Sequence, residues 1–132
     1  MPLERRRLAV IMFSDLCQFS AVMHRDEQQA MAMAKKHEEI VQSLSSVYEG
    51  RIIKKLGDGL LVEFASAVNA VICAIKIQKT LAELSRFAVE PNKIVVRIGM
   101  HLGDIIVEEN DIMGDGVNIA SRIQRPAQFP PP

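Results

Sequence analysis

Arg51-Ile-Ile-Lys-Lys-Leu-Gly-Asp-Gly-Leu-Leu-Val-Glu-Phe64 reads as two short strands, Arg51 to Leu56 and Leu60 to Phe64, around Gly57-Asp58-Gly59. An aspartate between glycines, flanked by β-forming runs, is a strong hairpin signal. Upstream, Leu8-Ala-Val-Ile-Met-Phe13 is an apolar run that ends in Ser14-Asp15. Such a run suits a buried strand that delivers a carboxylate at its C-terminal end. The segment between strand and hairpin is helical, with Asp26 as its N-cap before Glu27. Ala30, Met33, Ala34, His37, Ile40, Val41, Leu44 and Val47 follow helical spacing, and Gly50 is read as the stop. Downstream, Ser66 caps a second helix that carries Val68, Val71, Ile72, Ile75 and Leu81 on one face. Ile94 to Met100 and Ile105 to Glu108 read as two more strands, with Gly103-Asp104 between them. A last short helix spans Val117 to Gln124, and Pro126 ends it. The order strand, helix, hairpin, helix, hairpin, helix predicts an α+β fold. Its plan is a ferredoxin-like antiparallel sheet with helices packed on one face.

The chain has 132 residues, which is one domain or part of one. Its 48% hydrophobic content supports a sizeable core. Formal net charge is zero, which gives no bulk electrostatic case for nucleic acid or an anionic membrane. No apolar run approaches the roughly 20 residues that a membrane helix needs. Cys17 and Cys73 form no CxxC, and neither cysteines nor histidines show zinc-ligand spacing. They read as reduced core residues of a cytoplasmic protein. Pro130-Pro131-Pro132 closely follows the last helix, so the domain reads as lacking its C-terminal part.

Asp15 and Asp58 come from a strand end and a hairpin turn, two points that this topology can place side by side. Converging carboxylates repel unless a cation lies between them. Oxygen-only ligands favour Mg²⁺ or Mn²⁺. Taken alone, Asp58 reads as a turn residue and Asp15 as a helix cap; together with the Asp111 segment they read as ligands. Lys54 and Lys55 lie on the strand that enters the hairpin, and strand alternation sends one to each face. Solvated edge charge accounts for either lysine alone. Asp111 is the candidate partner for a buried one, and such a Lys and Asp could together read adenine. Asp111-Ile-Met-Gly-Asp-Gly-Val-Asn-Ile-Ala-Ser-Arg122 sets Asn118 and Arg122 four apart on one helix face, after the turn at Gly114-Asp115-Gly116. Arg suits phosphoryl oxygens and Asn a sugar hydroxyl. Asp104 and Asp115 take turn and N-cap roles. Met23, Met31 and Met33 read as core filler, and His24, His37 and His101 as structural or solvated.

Phe13-Ser-Asp-Leu-Cys-Gln-Phe-Ser20, Lys54-Lys-Leu-Gly-Asp-Gly59, Arg97-Ile-Gly-Met-His-Leu-Gly-Asp104 and Asp111 to Arg122 resemble, in order and spacing, the signature blocks of class III nucleotidyl cyclases. The resemblance implies a catalytic domain over residues 1–132 that stops short of the family's C-terminal part. It assigns Asp15 and Asp58 to two Mg²⁺ or Mn²⁺ ions per site. Leu16 to Ser20 resembles the family's phosphate-binding turn, with Phe19 and Ser20 at its aromatic and hydroxyl positions. Gly57, beside Asp58, joins the substrate-binding group. Lys54 and Asp111 resemble the adenine-selecting pair, where guanylate-specific members carry Glu and a Cys-type residue. Asn118 matches the ribose-orienting residue, and Arg122 the transition-state arginine. The family divides these groups between two chains, which implies a head-to-tail homodimer with ATP as substrate.

The expected reaction is ATP to 3′,5′-cyclic AMP and pyrophosphate by two-metal catalysis. The alternative is a catalytically impaired, cyclase-like module that binds nucleotide or regulates. A diguanylate cyclase or polymerase palm would place paired acidic residues at the hairpin, where Leu56-Gly-Asp-Gly59 has one. A ferredoxin-like domain without a site would leave the spaced polar residues unexplained.

Overall fold

The structure, a computed structural model, describes residues 6–88, 93–108 and 111–113, with backbone alone at 6, 106–108 and 111–113. The hairpin expected at Gly57-Asp58-Gly59 joins β2 (Gly50–Leu56) to β3 (Gly59–Phe64). Leu56 pairs with Gly59, so the loop has two residues, Gly57 and Asp58. Gly57 alone takes positive φ there (64°), as a type II′ loop requires of its first central residue. β3 pairs with β1 (Arg6–Leu16), β1 with β4 (Val96–Glu108), and β4 with β5 (Asp111–Met113), all antiparallel. The sheet order is β2-β3-β1-β4-β5.

The helices are α1 (Phe19–Arg25), α2 (Glu27–Val47) and α3 (Ala67–Leu84). Asp26 breaks α1 from α2 and caps the latter, its carboxylate accepting from the Gln29 N–H at 3.1 Å. Ser66 Oγ caps α3 by accepting from the Asn69 N–H at 3.1 Å. Both caps were legible because a short side-chain oxygen satisfies a donor that the first helical turn leaves unpaired. β1 is buried on both faces, as its unbroken apolar run predicted. Val10, Met12 and Leu16 turn toward the helices and join Met33, Val41, Cys73, Ile77 and Leu81 in the main core. Ala9, Ile11 and Phe13 turn the other way and pack with Leu61 and Ile105. The expected α+β, ferredoxin-like plan is the one observed.

Four details of the sequence reading are corrected. First, Gly103-Asp104 is not a turn. β4 runs unbroken from Val96 to Glu108 because it pairs with the whole of β1, Gly103 facing Ala9 and Asp104 facing Leu8. A continuous ladder of backbone bonds outweighs a local turn preference, so the hairpin falls between Glu108 and Asp111 instead. Second, the left-handed residue after α2 is Glu49 (φ 61°), not Gly50. Gly50 opens β2, where any Cβ would meet the Phe64 ring. Third, α3 buries Ala70, Cys73, Ala74, Ile77 and Leu81, and leaves Val68, Val71, Ile72 and Ile75 exposed. The two stripes adjoin, and the one with smaller residues lets the helix come closer to the sheet. Fourth, Met31 and Val47 are exposed rather than core.

Candidate active site

The alternation of β1 decides which groups meet. Ser14 points toward the helices and Asp15 points away from them. Asp15 pairs in register with Arg97 of β4. The Arg97 guanidinium grips its carboxylate in two bonds, Nε donating to Oδ1 at 3.0 Å and Nη2 to Oδ2 at 3.2 Å. Asp15 is nearly buried, so this charge-assisted fork is shielded from solvent screening. The sequence offered no signal for the pairing, since it follows from the β1–β4 register alone.

Asp58 reaches the end of β1 from the hairpin. Its Oδ2 accepts from the Leu16 N–H at 2.9 Å, which ties the turn to the end of β1 beside Asp15. The two carboxylates also act together on Cys17. Burial pushes that thiol up, Arg97 pulls it down, and Asp15 and Asp58 push it up again. A raised thiol is a poor nucleophile, and Cys17 is partly exposed rather than in the core, unlike the buried Cys73.

Lys54 lies half-buried on β2, opposite Leu61. A bulge between Ile52 and Lys54 admits one extra residue, so Arg51 and Lys54, an odd number of positions apart, share the face that also carries Asp15. Lys55 takes the other face and pairs with Glu38 of α2 at 3.2 Å. One lysine therefore goes to each face, as expected. Arg51 and Arg7 together hold the buried carboxylate of Glu63, at 3.1 Å and 2.6–2.7 Å. Asp111 opens β5, opposite Glu108, and β5 approaches β2 as well as β4. The strands that carry Lys54 and Asp111 thus come near each other. Asn118 and Arg122 lie outside the described residues, as do Gly114-Asp115-Gly116 and the last predicted helix.

Phe19 and Ser20 open α1 after Gln18, whose backbone is left-handed (φ 59°). Phe19 packs on the main core, and Ser20 is exposed. Phe19, Gly57 and Asp58 also border a cavity of about 350 Å³ under α1 and α2. His37 of α2 lies at its back, 1% exposed, with Nε2 2.7 Å from Ser14 Oγ. Burial lowers its pKa to about 4 against the pull of Asp58 and Glu38, so the ring is neutral. A histidine on an otherwise apolar helical stripe was the available signal, but spacing alone did not reveal its partners.

Among the described residues no group of three or more His, Cys, Asp or Glu is placed to hold a metal. Asp15 ends β1 and Asp58 bonds the backbone of the next residue, Leu16, and both offer hard oxygen donors. That set suits Mg²⁺ or Mn²⁺, which keep waters and substrate phosphates as their remaining ligands. An incoming ion would compete with Arg97 for Asp15.

The family description "Adenylate and Guanylate cyclase catalytic domain" matches residues 1–129. "Putative adenylate cyclase 3" of Rhizobium meliloti (strain 1021) is 46% identical over 121 residues, covering 91% of this chain and 21% of that protein. The chain therefore spans about a fifth of that relative's length. The crystal structure of an adenylate/guanylate cyclase/hydrolase from Silicibacter pomeroyi superposes with TM-score 0.84 at 34% identity, over 90% of this chain and 70% of that one. A bacterial light-regulated adenylyl cyclase shares the fold at TM-score 0.80 and 22% identity, over 90% of this chain and 69% of that one.

Proposed function

Because the chain belongs to the adenylate and guanylate cyclase catalytic domain family, we propose that it supplies the catalytic domain of a class III adenylate cyclase, turning ATP into 3′,5′-cyclic AMP and pyrophosphate. One observation supports this reading: the hairpin carboxylate of Asp58 accepts from the N–H of Leu16, the residue that follows Asp15 on β1. Asp15 and Asp58 would hold two Mg²⁺ or Mn²⁺ ions, which when bound lower the pKa of the attacking ribose hydroxyl and neutralise phosphate charge.

The remaining chemistry belongs to the chain itself. Arg97 balances the Asp15 charge while no ion is present. Phe19, Ser20 and Gly57 frame the phosphate end of the site. Lys54 donates to adenine N1 and Asp111 accepts from its amine. The approach of β5 to β2 supports that pairing. Guanylate-specific members carry Glu and a Cys-type residue there, so ATP is the preferred nucleotide. Asn118 orients the ribose, and Arg122 stabilises charge on the α-phosphoryl oxygens as the 3′-oxygen attacks. A homodimer supplies the aspartates from one chain, and Lys54, Asp111, Asn118 and Arg122 from the other. No described helix is long and apolar enough to cross a membrane.

The second reading, a nucleotide-binding module without turnover, is favoured by the Arg97 fork, which engages both oxygens of Asp15. One experiment separates the two. The protein is incubated with Mn²⁺ and either ATP or GTP, and cyclic nucleotide is measured. Cyclic AMP is expected in at least about tenfold excess over cyclic GMP, with Asp58→Asn cutting it about 100-fold or more. Mn²⁺-dependent ATP binding without product would establish the second reading instead.

A further inference from the structure

Ser14 and Asp15 are adjacent on β1 and point to opposite faces, so whatever fixes Ser14 also fixes the backbone that carries Asp15. Ser14 is fully buried, and its hydroxyl meets His37 Nε2 at 2.7 Å. His37 occupies the stripe of α2 that buries Ala30, Met33, Ile40 and Val41, where an aliphatic side chain would pack without polar cost. Burying an imidazole there is unfavourable unless its nitrogens are used. His37 and Asp58 line one cavity, and the backbone of Asp58 acts on the ring in the sense that favours its protonated form. A backbone group that acts in this sense is the carbonyl, to which the ring must donate. A neutral imidazole has one donor and one acceptor, so Nε2 accepts from the Ser14 hydroxyl. A single tautomer satisfies both bonds. The ring thus joins the strand next to Asp15 to the turn that carries Asp58.

We propose that His37 is a positioning residue for the metal site: by bridging Ser14 Oγ and the Asp58 carbonyl, it sets the spacing of the Asp15 and Asp58 carboxylates. The proposal rests on the cyclase reading only in taking those two carboxylates as the ion ligands. Groups that orient ligands from behind typically matter by about 10- to 100-fold in metal affinity. A purely structural histidine would lower stability but leave ion affinity in the folded fraction unchanged.

The test is a Mn²⁺ titration followed by electron paramagnetic resonance, with a non-cleavable ATP analogue present. The parent protein is compared with Ser14→Ala, His37→Leu, His37→Gln and the Ser14→Ala/His37→Leu pair, and folding is checked by circular dichroism. Ser14→Ala and His37→Leu should each weaken Mn²⁺ binding about tenfold. The double variant should be little worse than either single, because both break one bridge. His37→Gln, whose amide reaches the Nε2 position but not the Nδ1 position, should restore the Ser14 bond and recover part of the loss. Folded variants that bind Mn²⁺ like the parent overturn the proposal. If His37→Leu does not fold, Ser14→Ala decides alone, since it deletes only a hydroxyl. A parent that binds no Mn²⁺, or an Asp58→Asn variant that binds it unchanged, removes the metal-site reading and this proposal with it. Parent binding lost in Asp58→Asn but untouched in Ser14→Ala overturns the bridge alone.

Discussion

Gln18 holds the left-handed region at φ 59° between β1 and α1, and Glu49 does so at 61° between α2 and β2. A side chain there crowds its own backbone by about 1 kcal/mol relative to glycine. Gln18 is exposed and makes no side-chain capping bond to α1, so nothing evident offsets that cost. Gln18→Gly should therefore stabilise the fold by about 0.5–1 kcal/mol, raising Tm by roughly 2–3 °C in a domain of this size. A lower Tm in thermal unfolding would mean that the glutamine side chain makes a stabilising interaction. At this scale the sequence was partly legible. Gly57 announced its own positive φ, because a glycine-flanked Asp is a turn in almost any context. Gln18 and Glu49 were not legible, because no propensity favours them in that conformation and only the geometry on either side imposes it.

At the scale of elements, α3 separates what spacing can say from what it cannot. Its hydrophobic residues fill two adjoining stripes, and hydrophobicity alone does not choose between them. The sheet accepts Ala70, Cys73, Ala74 and Ile77, whose mostly small side chains allow a close helix. Ile77→Ala should then cost about 2–4 kcal/mol in urea unfolding, while Ile75→Ala should stay within about 1 kcal/mol. Equal losses at both positions would show that Ile75 is covered. β4 teaches a related lesson. Gly103 and Asp104 carry turn chemistry, yet they extend a strand, because thirteen residues from Val96 to Glu108 hydrogen-bond along β1 and into β5. The bulge in β2 was equally invisible, since it depends on matching Gly50 to Phe64 and Leu56 to Gly59 at once.

At the scale of the whole molecule, the proposed site would be divided between two chains. Asp15 and Asp58 would face Asn118 and Arg122 of a second copy. Asp58→Ala and Arg122→Ala chains should each be inactive alone. Mixed in equal amounts, they should recover about a quarter of wild-type cyclase activity. Half the random dimers are then mixed, and each mixed dimer has one intact site of two. A mixture as inactive as its components, with both chains folded, would place all the groups in one chain.

The sequence by itself determined β1, the long helix after Asp26, the Gly57-Asp58 hairpin, α3, the Asp26 and Ser66 caps and the candidate ligands Asp15 and Asp58, but it did not mark α1. These are local matters of turn chemistry, capping oxygens and apolar runs, and each is written in a few neighbouring residues. Tertiary structure alone decided that Arg97 grips Asp15, that Asp58 binds the Leu16 N–H, and that His37 bonds Ser14. Those partners lie 82, 42 and 23 residues apart along the chain. What brings them together is strand register and helix rotation, which are set by how the whole sheet and its helices pack and not by any stretch read in isolation.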